Sequence, residues 1–305
     1  MGPTVLLLVT VVFLLMHLVP GDVIMSRIEE GTALSAEQIQ ELRDRLGLNR
    51  PLIVQFGDWL WGLLHLDPGV SAATGRPTLS VLQRALPVTL EIMILSQIFS
   101  IAMAIPVGIV SALKQDTWLD YVLRIFSISI LAAPGFWIAT MVLIFGAYYL
   151  NWAPPFGYTP FWVDPVRNLK QFLVPAVIVG LQGSAIKMRM ARSAMLEVLR
   201  QDYVRTAKAK GLAGRVVIFR HVLKNALIPV VTLYGGTIAG LLGGTVIIET
   251  IFSLPGVGLA TITAINQRDI PQLQLNILFF GTAVATVNLL IDMSYAFLDP
   301  RVRYG

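Results

Sequence analysis

The sequence has no cysteine, which excludes disulfide frameworks, thiolate metal sites and cysteine nucleophiles. Histidine is nearly as scarce: His17, His65 and His221 are three in 305 residues, too few and too scattered for a histidine metal cluster. Charge is scarce as well. Only 13% of residues are Asp, Glu, Lys or Arg, against about 25% in an ordinary soluble domain. Signatures of chemistry are missing too. No Gly-x-x-x-x-Gly-Lys-Ser/Thr loop is present, so the chain does not hold a nucleotide in that way. No His-Glu-x-x-His, nucleophile elbow or paired-carboxylate constellation occurs either.

What is abundant is apolar: hydrophobic residues make up 55% of the chain. A soluble globule of this length could not hide so much apolar surface behind so few charges, and the same hydrophobicity excludes disorder. Lipid is the solvent that fits, and the chain reads as an all-α polytopic membrane protein. Crossing a bilayer core takes about 20 helical residues. Six windows free of Asp, Glu, Lys and Arg approach or exceed that: Met1–Gly21, Ile92–Leu113, Ile125–Val163, Gln171–Ile186, Asn225–Ile248 and Ile270–Ile291. The third ends in a Pro- and aromatic-rich tail, so its helix is expected to stop near Leu150. The fourth is short and is expected to continue past Lys187 as a helix leaving the membrane. Continuous apolar character without two-residue alternation favours helices over barrel strands. The expectation is six transmembrane helices.

Charge placement sets the orientation. The segment Lys187–Lys224 holds ten of the 23 Lys and Arg and only two acids, a net charge of +8 in a chain whose total is +5. That loop is expected in the cytoplasm, which puts both termini there too, in keeping with Arg301 and Arg303. A basic loop beside a span needs no nucleic-acid partner to explain it. Residues 22–78, with eight acids and five bases, fall outside, between a first helix at 1–21 and a core at 79–305. The first window has no base in Met1-Gly2-Pro3 and no cleavage pattern in Leu18-Val19-Pro20-Gly21-Asp22, so it reads as an anchoring helix whose basic leader is absent. In the outer loop, Ser35-Ala36-Glu37-Gln38 fits a capping box for a helix stopping at Gly47. Pro51 suits the first turn of a second helix, with Trp59 and Trp61 at headgroup level.

The spans carry Pro87, Pro106, Pro134, Pro175 and Pro229, each compatible with a bend. Gly236, Gly240 and Gly244 recur at four-residue spacing, with Gly235 and Gly243 beside them, so one helical face admits close approach by a neighbour. The same face suits a helix that pivots beside a pathway. Glu91, Glu249 and Asp292 fall near expected helix ends, where water reaches them. Gln97, Gln182 and Asn288, deeper in the spans, read as interhelical hydrogen-bond formers rather than substrate ligands.

The basic loop is punctuated within itself. Asp202 suits a helix start and Gly211 the left-handed turn that ends one. The intervening helix of about eight residues, some 12 Å long, is too short to stand alone and needs a neighbour. The small residues Thr206 and Ala207 permit close insertion, while Arg205, Lys208 and Lys210 favour an acidic or anionic partner.

At these residues the sequence resembles a family. Asp202-Tyr203-Val204-Arg205-Thr206-Ala207-Lys208-Ala209-Lys210-Gly211, followed by Arg220-His221-Val222-Leu223-Lys224-Asn225-Ala226-Leu227-Ile228-Pro229, is similar to the coupling loop of binding-protein-dependent ABC importer permeases, in particular the dipeptide/oligopeptide/nickel group. Leu18-Val19-Pro20-Gly21-Asp22 and Glu249-Thr250-Ile251-Phe252-Ser253-Leu254-Pro255-Gly256-Val257-Gly258, then Arg268-Asp269, extend the resemblance over nearly the whole chain. Arg205-Thr206-Ala207 stands where many such permeases have Glu-Ala-Ala, and Lys224 occupies a position where a proline is common.

The resemblance implies a type I ABC importer permease fold in a bacterial or archaeal cytoplasmic membrane. It implies a second homologous permease as heterodimer partner and an extracytoplasmic solute-binding protein. Two ATPase subunits would hold ATP and Mg, this chain having no cofactor of its own. The ATPases would engage Asp202, Tyr203, Arg205, Thr206, Ala207, Lys208 and Gly211. Glu249, Pro255, Gly256 and Gly258 would belong to the outer gate or the binding-protein loop. The substrate class implied is di- or oligopeptides, with nickel complexes, glutathione or another small solute as alternatives. A secondary carrier or channel would need inverted repeats or intramembrane ionisable groups, which the sequence does not display.

Overall fold

In the computed structural model, residues 2–18, 37, 40 and 49–298 are described. The capping box at Ser35, the stop at Gly47, most of the Leu18–Asp22 motif and the tail arginines lie outside them. The described residues form ten helices: α1 (Gly2–Leu18), α2 (Leu52–Leu64), α3 (Thr78–Leu113), α4 (Trp118–Ala132), α5 (Gly135–Leu150), α6 (Pro165–Leu199), α7 (Asp202–Ala209), α8 (Gly214–Ile251), α9 (Val257–Asn266) and α10 (Ile270–Leu298). An isolated bridge pairs Val70 with Pro77.

The apolar windows become helices, but two boundaries differ from the sequence expectation. Helix α3 starts fourteen residues before Ile92, at Thr78, so Glu91 sits inside a helix and not near its end. The window expected as one helix to Leu150 is instead the pair α4–α5, bent by 95°. Pro134 is the cause: it offers no N–H, and the residue before it, Ala133, is extended at φ −92° and ψ 123°. A broken helix leaves carbonyls that lipid cannot satisfy. Gln182 of α6 supplies the missing donor, its Nε2 lying 2.9 Å from the Ala133 carbonyl oxygen. Helices α3, α6, α8 and the Ile270–Ile291 stretch of α10 are each long and apolar enough to cross a membrane, and the bent pair, counted as one broken span, brings the number to five. Helix α1, the sixth window, has 17 described residues, somewhat short of the about 20 a crossing needs.

The chain divides into two compact units. The first comprises Met1–Thr89 and Ser253–Thr286. In it, Phe13 of α1 meets Phe56 edge-on at 5.1 Å and stacks on Trp59 at 5.9 Å. Trp59 is therefore packed against α1, whereas Trp61 is exposed. Leu82, Ala85, Val257 and Leu275 form the core joining α3, α9 and α10. Asp269 binds this unit together: its carboxylate accepts from the Ser71 hydroxyl, from the Ala72 N–H at 3.1 Å and from the Gln272 N–H at the start of α10.

The second unit comprises Leu90–Phe252 and Val287–Gly305. Its helices α3 and α6 approach closely at Gly108 and Gly180. A Cβ on Gly180 would fall 2.6 Å from the Ser96 carbonyl oxygen, and one on Gly108 2.9 Å from that of Met188. Helix α6 opens on Asp164, whose side chain accepts from the Arg167 N–H at 3.0 Å, with Pro165 in the first turn. It runs unbroken through Lys187 to Leu199, as the sequence led one to expect.

Candidate functional site

Helix α7 spans Asp202–Ala209, eight residues. Gln201, not Asp202, holds the N-cap position, and it makes no side-chain capping bond. Asp202 instead lies in the first turn, where its charge favours the helix dipole. Gly211 ends the element in the left-handed region at φ +76°, a conformation costing other L-residues about 1–2 kcal/mol.

Two of its residues face inward. Val204 and Ala207 are buried in a cluster with Ala112 at the end of α3, Ala194 and Met195 of α6, and Val217, Val222 and Ala226 of α8. Ala207, read from its small size as able to insert closely against a neighbour, packs within its own chain. The remaining face is exposed and carries Asp202, Tyr203, Arg205, Thr206 and Lys208. Arg205 lies 3.7 Å from Asp202, and the Thr206 hydroxyl bonds the Asp202 carbonyl oxygen at 3.0 Å. The Tyr203 hydroxyl accepts from Asn225 Nδ2 at 2.9 Å, and the same amide donates to the His221 carbonyl at 3.2 Å.

Asn225 follows a π-helical turn, Val217–Val222, near the start of α8. Such turns widen a helix by one residue and cluster at functional positions. Here the turn contributes both Val217 and Val222 to the pocket that holds α7. A short helix with too few residues to be stable in isolation is thus mounted on the ends of three long ones.

Residues 104–304 match the family of binding-protein-dependent transport system inner membrane components, and residues 2–93 match the N-terminal model of such membrane components. The chain belongs to this family. The dipeptide transport system permease protein DppB of Alkalihalophilus pseudofirmus is 38% identical over 322 residues, covering 99% of this chain and 96% of that one. An Escherichia coli K12 protein named "Probable D,D-dipeptide transport system permease protein DdpB" is 34% identical, with 97% and 92% covered. A chain of the MetNI methionine ABC transporter in an inward-facing conformation shares the fold at a TM-score of 0.58 and 14% identity, covering 72% of this chain and 96% of that chain.

In this transport component the other residues singled out in the sequence do not converge on α7. Gly240 and Gly244 line a cavity of about 270 Å³ with Gly135, Gln182, Gly183 and Ile248. Among the described residues, a Cβ at Gly236, Gly240, Gly243 or Gly244 would meet nothing within 4 Å, while one at Gly235 would meet Ile291 at 3.1 Å. The tight contacts expected on the α8 glycine face thus occur elsewhere, at Gly108 and Gly180. Glu249 is fully buried and partnered. Pro255 and Gly256 form the turn into α9, with Gly256 at the cap position and Gly258 buried in the first turn of the helix. The Val257 N–H there donates to Thr89 Oγ1 at 2.9 Å.

Two features of this permease component escaped the sequence reading. Lys187, counted there with the loop bases, is completely buried. Its Nζ lies 3.2 Å from Gln97 Oε1, 3.3 Å from Ser100 Oγ and 3.9 Å from the Tyr234 ring centroid, so one cation pins α3, α6 and α8. Gln97 and Gln182 do act as interhelical hydrogen-bond formers; Asn288 is exposed. The second feature is a bidentate pair. Arg192 Nε and Nη2 reach Asp120 at 2.9 and 2.7 Å, tying α6 to the start of α4. The signal for both was an isolated charge at helical spacing from apolar neighbours, which sequence alone does not distinguish from a charge in water.

Proposed function

We propose that this chain is the permease subunit of an ATP-driven ABC importer of di- and oligopeptides, and that α7 is the handle by which separate ATPase subunits move it. The observation that carries the proposal is the division of α7 into two faces. Val204 and Ala207 lock it to α3, α6 and α8, while Tyr203, Arg205, Thr206 and Lys208 are left exposed. Force applied to the exposed face passes into three long helices without deforming the mount, because packed interiors shift between discrete arrangements rather than stretch.

ATP and Mg would belong to the ATPase partners, and this subunit would catalyse nothing. The +7 charge of residues 188–224, which leaves out the buried Lys187, supports a cytoplasmic α7, with both termini on the same side. A second homologous permease would complete the pathway. The open glycine face at Gly236, Gly240 and Gly244 suits close approach by such a partner or by solute. Ser253 and Pro255, exposed in the turn between α8 and α9, would face the extracytoplasmic binding protein. Peptides are favoured as substrate because both relatives described above are named as dipeptide transport permeases and are of nearly equal length.

Reconstituting the complete transporter with Arg205→Glu and Lys208→Glu together tests this. Peptide uptake is expected to fall at least about tenfold, the loss of one or two charge-assisted contacts, with the subunit still inserted. Wild-type uptake in that variant would refute the handle.

A further inference from the structure

We infer that a cavity between α3, α4 and α6 is a binding site for the phosphate of an anionic phospholipid headgroup, an inference that rests only on the chain's residence in a membrane. The cavity, about 510 Å³, is lined by three guanidinium side chains, Arg124, Arg189 and Arg192, and three hydroxyls, Ser111, Ser127 and Ser193. Among the described residues no carboxylate lines it.

The arginines are not equivalent. Arg192 spends Nε and Nη2 on Asp120, which fixes the guanidinium plane and leaves both Nη1 protons for a further acceptor. Arg124 and Arg189 form no ion pair among the described residues; Arg124 is held over the Tyr121 ring at 5.6 Å. Ser111 and Ser127 already donate, to Asp120 and to Leu123, whereas Ser193 is exposed. The cavity therefore carries a net charge of about +2 with several unspent N–H donors, a demand that a phosphate meets with its several acceptor oxygens.

The surroundings choose the source of that phosphate. Helix α4 exposes Trp118, Tyr121, Val122, Ile125 and Ile128. Trp118 and Tyr121 suit headgroup level, and the aliphatic residues form an apolar strip for acyl chains leading away from the arginines. A soluble anion would fill the charged end and leave that strip bare. A phospholipid satisfies both, as expected of a basic pocket between membrane helices.

Native mass spectrometry of the full chain, purified in mild detergent and given phosphatidylglycerol or phosphatidylcholine, tests the assignment. Phosphatidylglycerol is expected to be retained preferentially, and the variant carrying Arg124→Gln and Arg189→Gln to lose affinity about 25-fold, about fivefold per arginine. Lys208→Gln, on α7 and away from the cavity, should retain the lipid and controls for loss of charge in general. Thermal unfolding of each variant shows that the lipid-free proteins remain folded. Equal retention of both lipids, or unchanged binding in the double variant, would overturn the site. Displacement of the lipid by millimolar inorganic phosphate would overturn the lipid as its occupant.

Discussion

Tyr203 Oη accepts a hydrogen bond from Asn225 Nδ2 at 2.9 Å, joining the exposed face of α7 to the early turns of the long helix α8. The bond bypasses the loop between them and gives α7 a direct polar link to a long apolar helix. Tyr203→Phe removes it at a cost of about 1 kcal/mol while leaving the ring in place. Uptake per ATP hydrolysed is expected to fall in the reconstituted transporter with assembly intact. An unchanged ratio would remove this bond from the coupling route.

Gly211 separates two kinds of effect. At φ +76°, with nothing within 4 Å of an added Cβ, the position is conformationally strained but not crowded. Gly211→Asn, which tolerates the left-handed region, should keep near-normal uptake, and Gly211→Val should lose most of it. If the two variants behave alike, bulk rather than backbone conformation governs the position.

Glycines within the second unit should sort by contact. Gly180→Ala places a methyl 2.6 Å from the Ser96 carbonyl oxygen and is expected to destabilise the subunit by about 1–3 kcal/mol. Gly240→Ala meets nothing and should leave its thermal unfolding unchanged. Unfolding in detergent, followed by intrinsic tryptophan fluorescence, checks both; equal shifts would contradict the close approach of α3 and α6.

The Asp120–Arg192 pair holds the broken span. Asp120 is completely buried and Arg192 largely so, so Asp120→Ala strands a cation, at a cost of about 3–5 kcal/mol. Adding Arg192→Met should recover a good part of that loss. Failure of the second substitution to recover stability would show that Asp120 acts through its bonds to Ser111 and the Asp116 N–H alone.

Much of this architecture was readable from the residues. Charge-free windows located the helices because lipid demands them, and the punctuation by Asp202 and Gly211 set the length of α7. What escaped was whatever depended on which neighbour a side chain meets. Pro134 was visible as a bend, but not that Gln182 would satisfy the carbonyl it frees. Lys187 looked like a loop base because its partners, Gln97 and Tyr234, are distant in sequence. Ala207 looked available to a partner because small size suits insertion in either direction; burial decided for the chain itself. Gly236, Gly240 and Gly244 show the converse, a packing pattern that meets no close neighbour among the described residues.

The central claim, that an ATPase seats against the exposed face of α7, is best tested by site-specific disulfide cross-linking, since the chain has no cysteine of its own to confuse the result. The Thr206→Cys variant, altered on the exposed face, should cross-link to a cysteine introduced in the ATPase cleft, with a yield that changes when ATP is added. The Ala207→Cys variant, altered at the buried position one residue on, should not. Absence of any adduct from the Thr206→Cys variant in the assembled, transport-active complex would contradict the account.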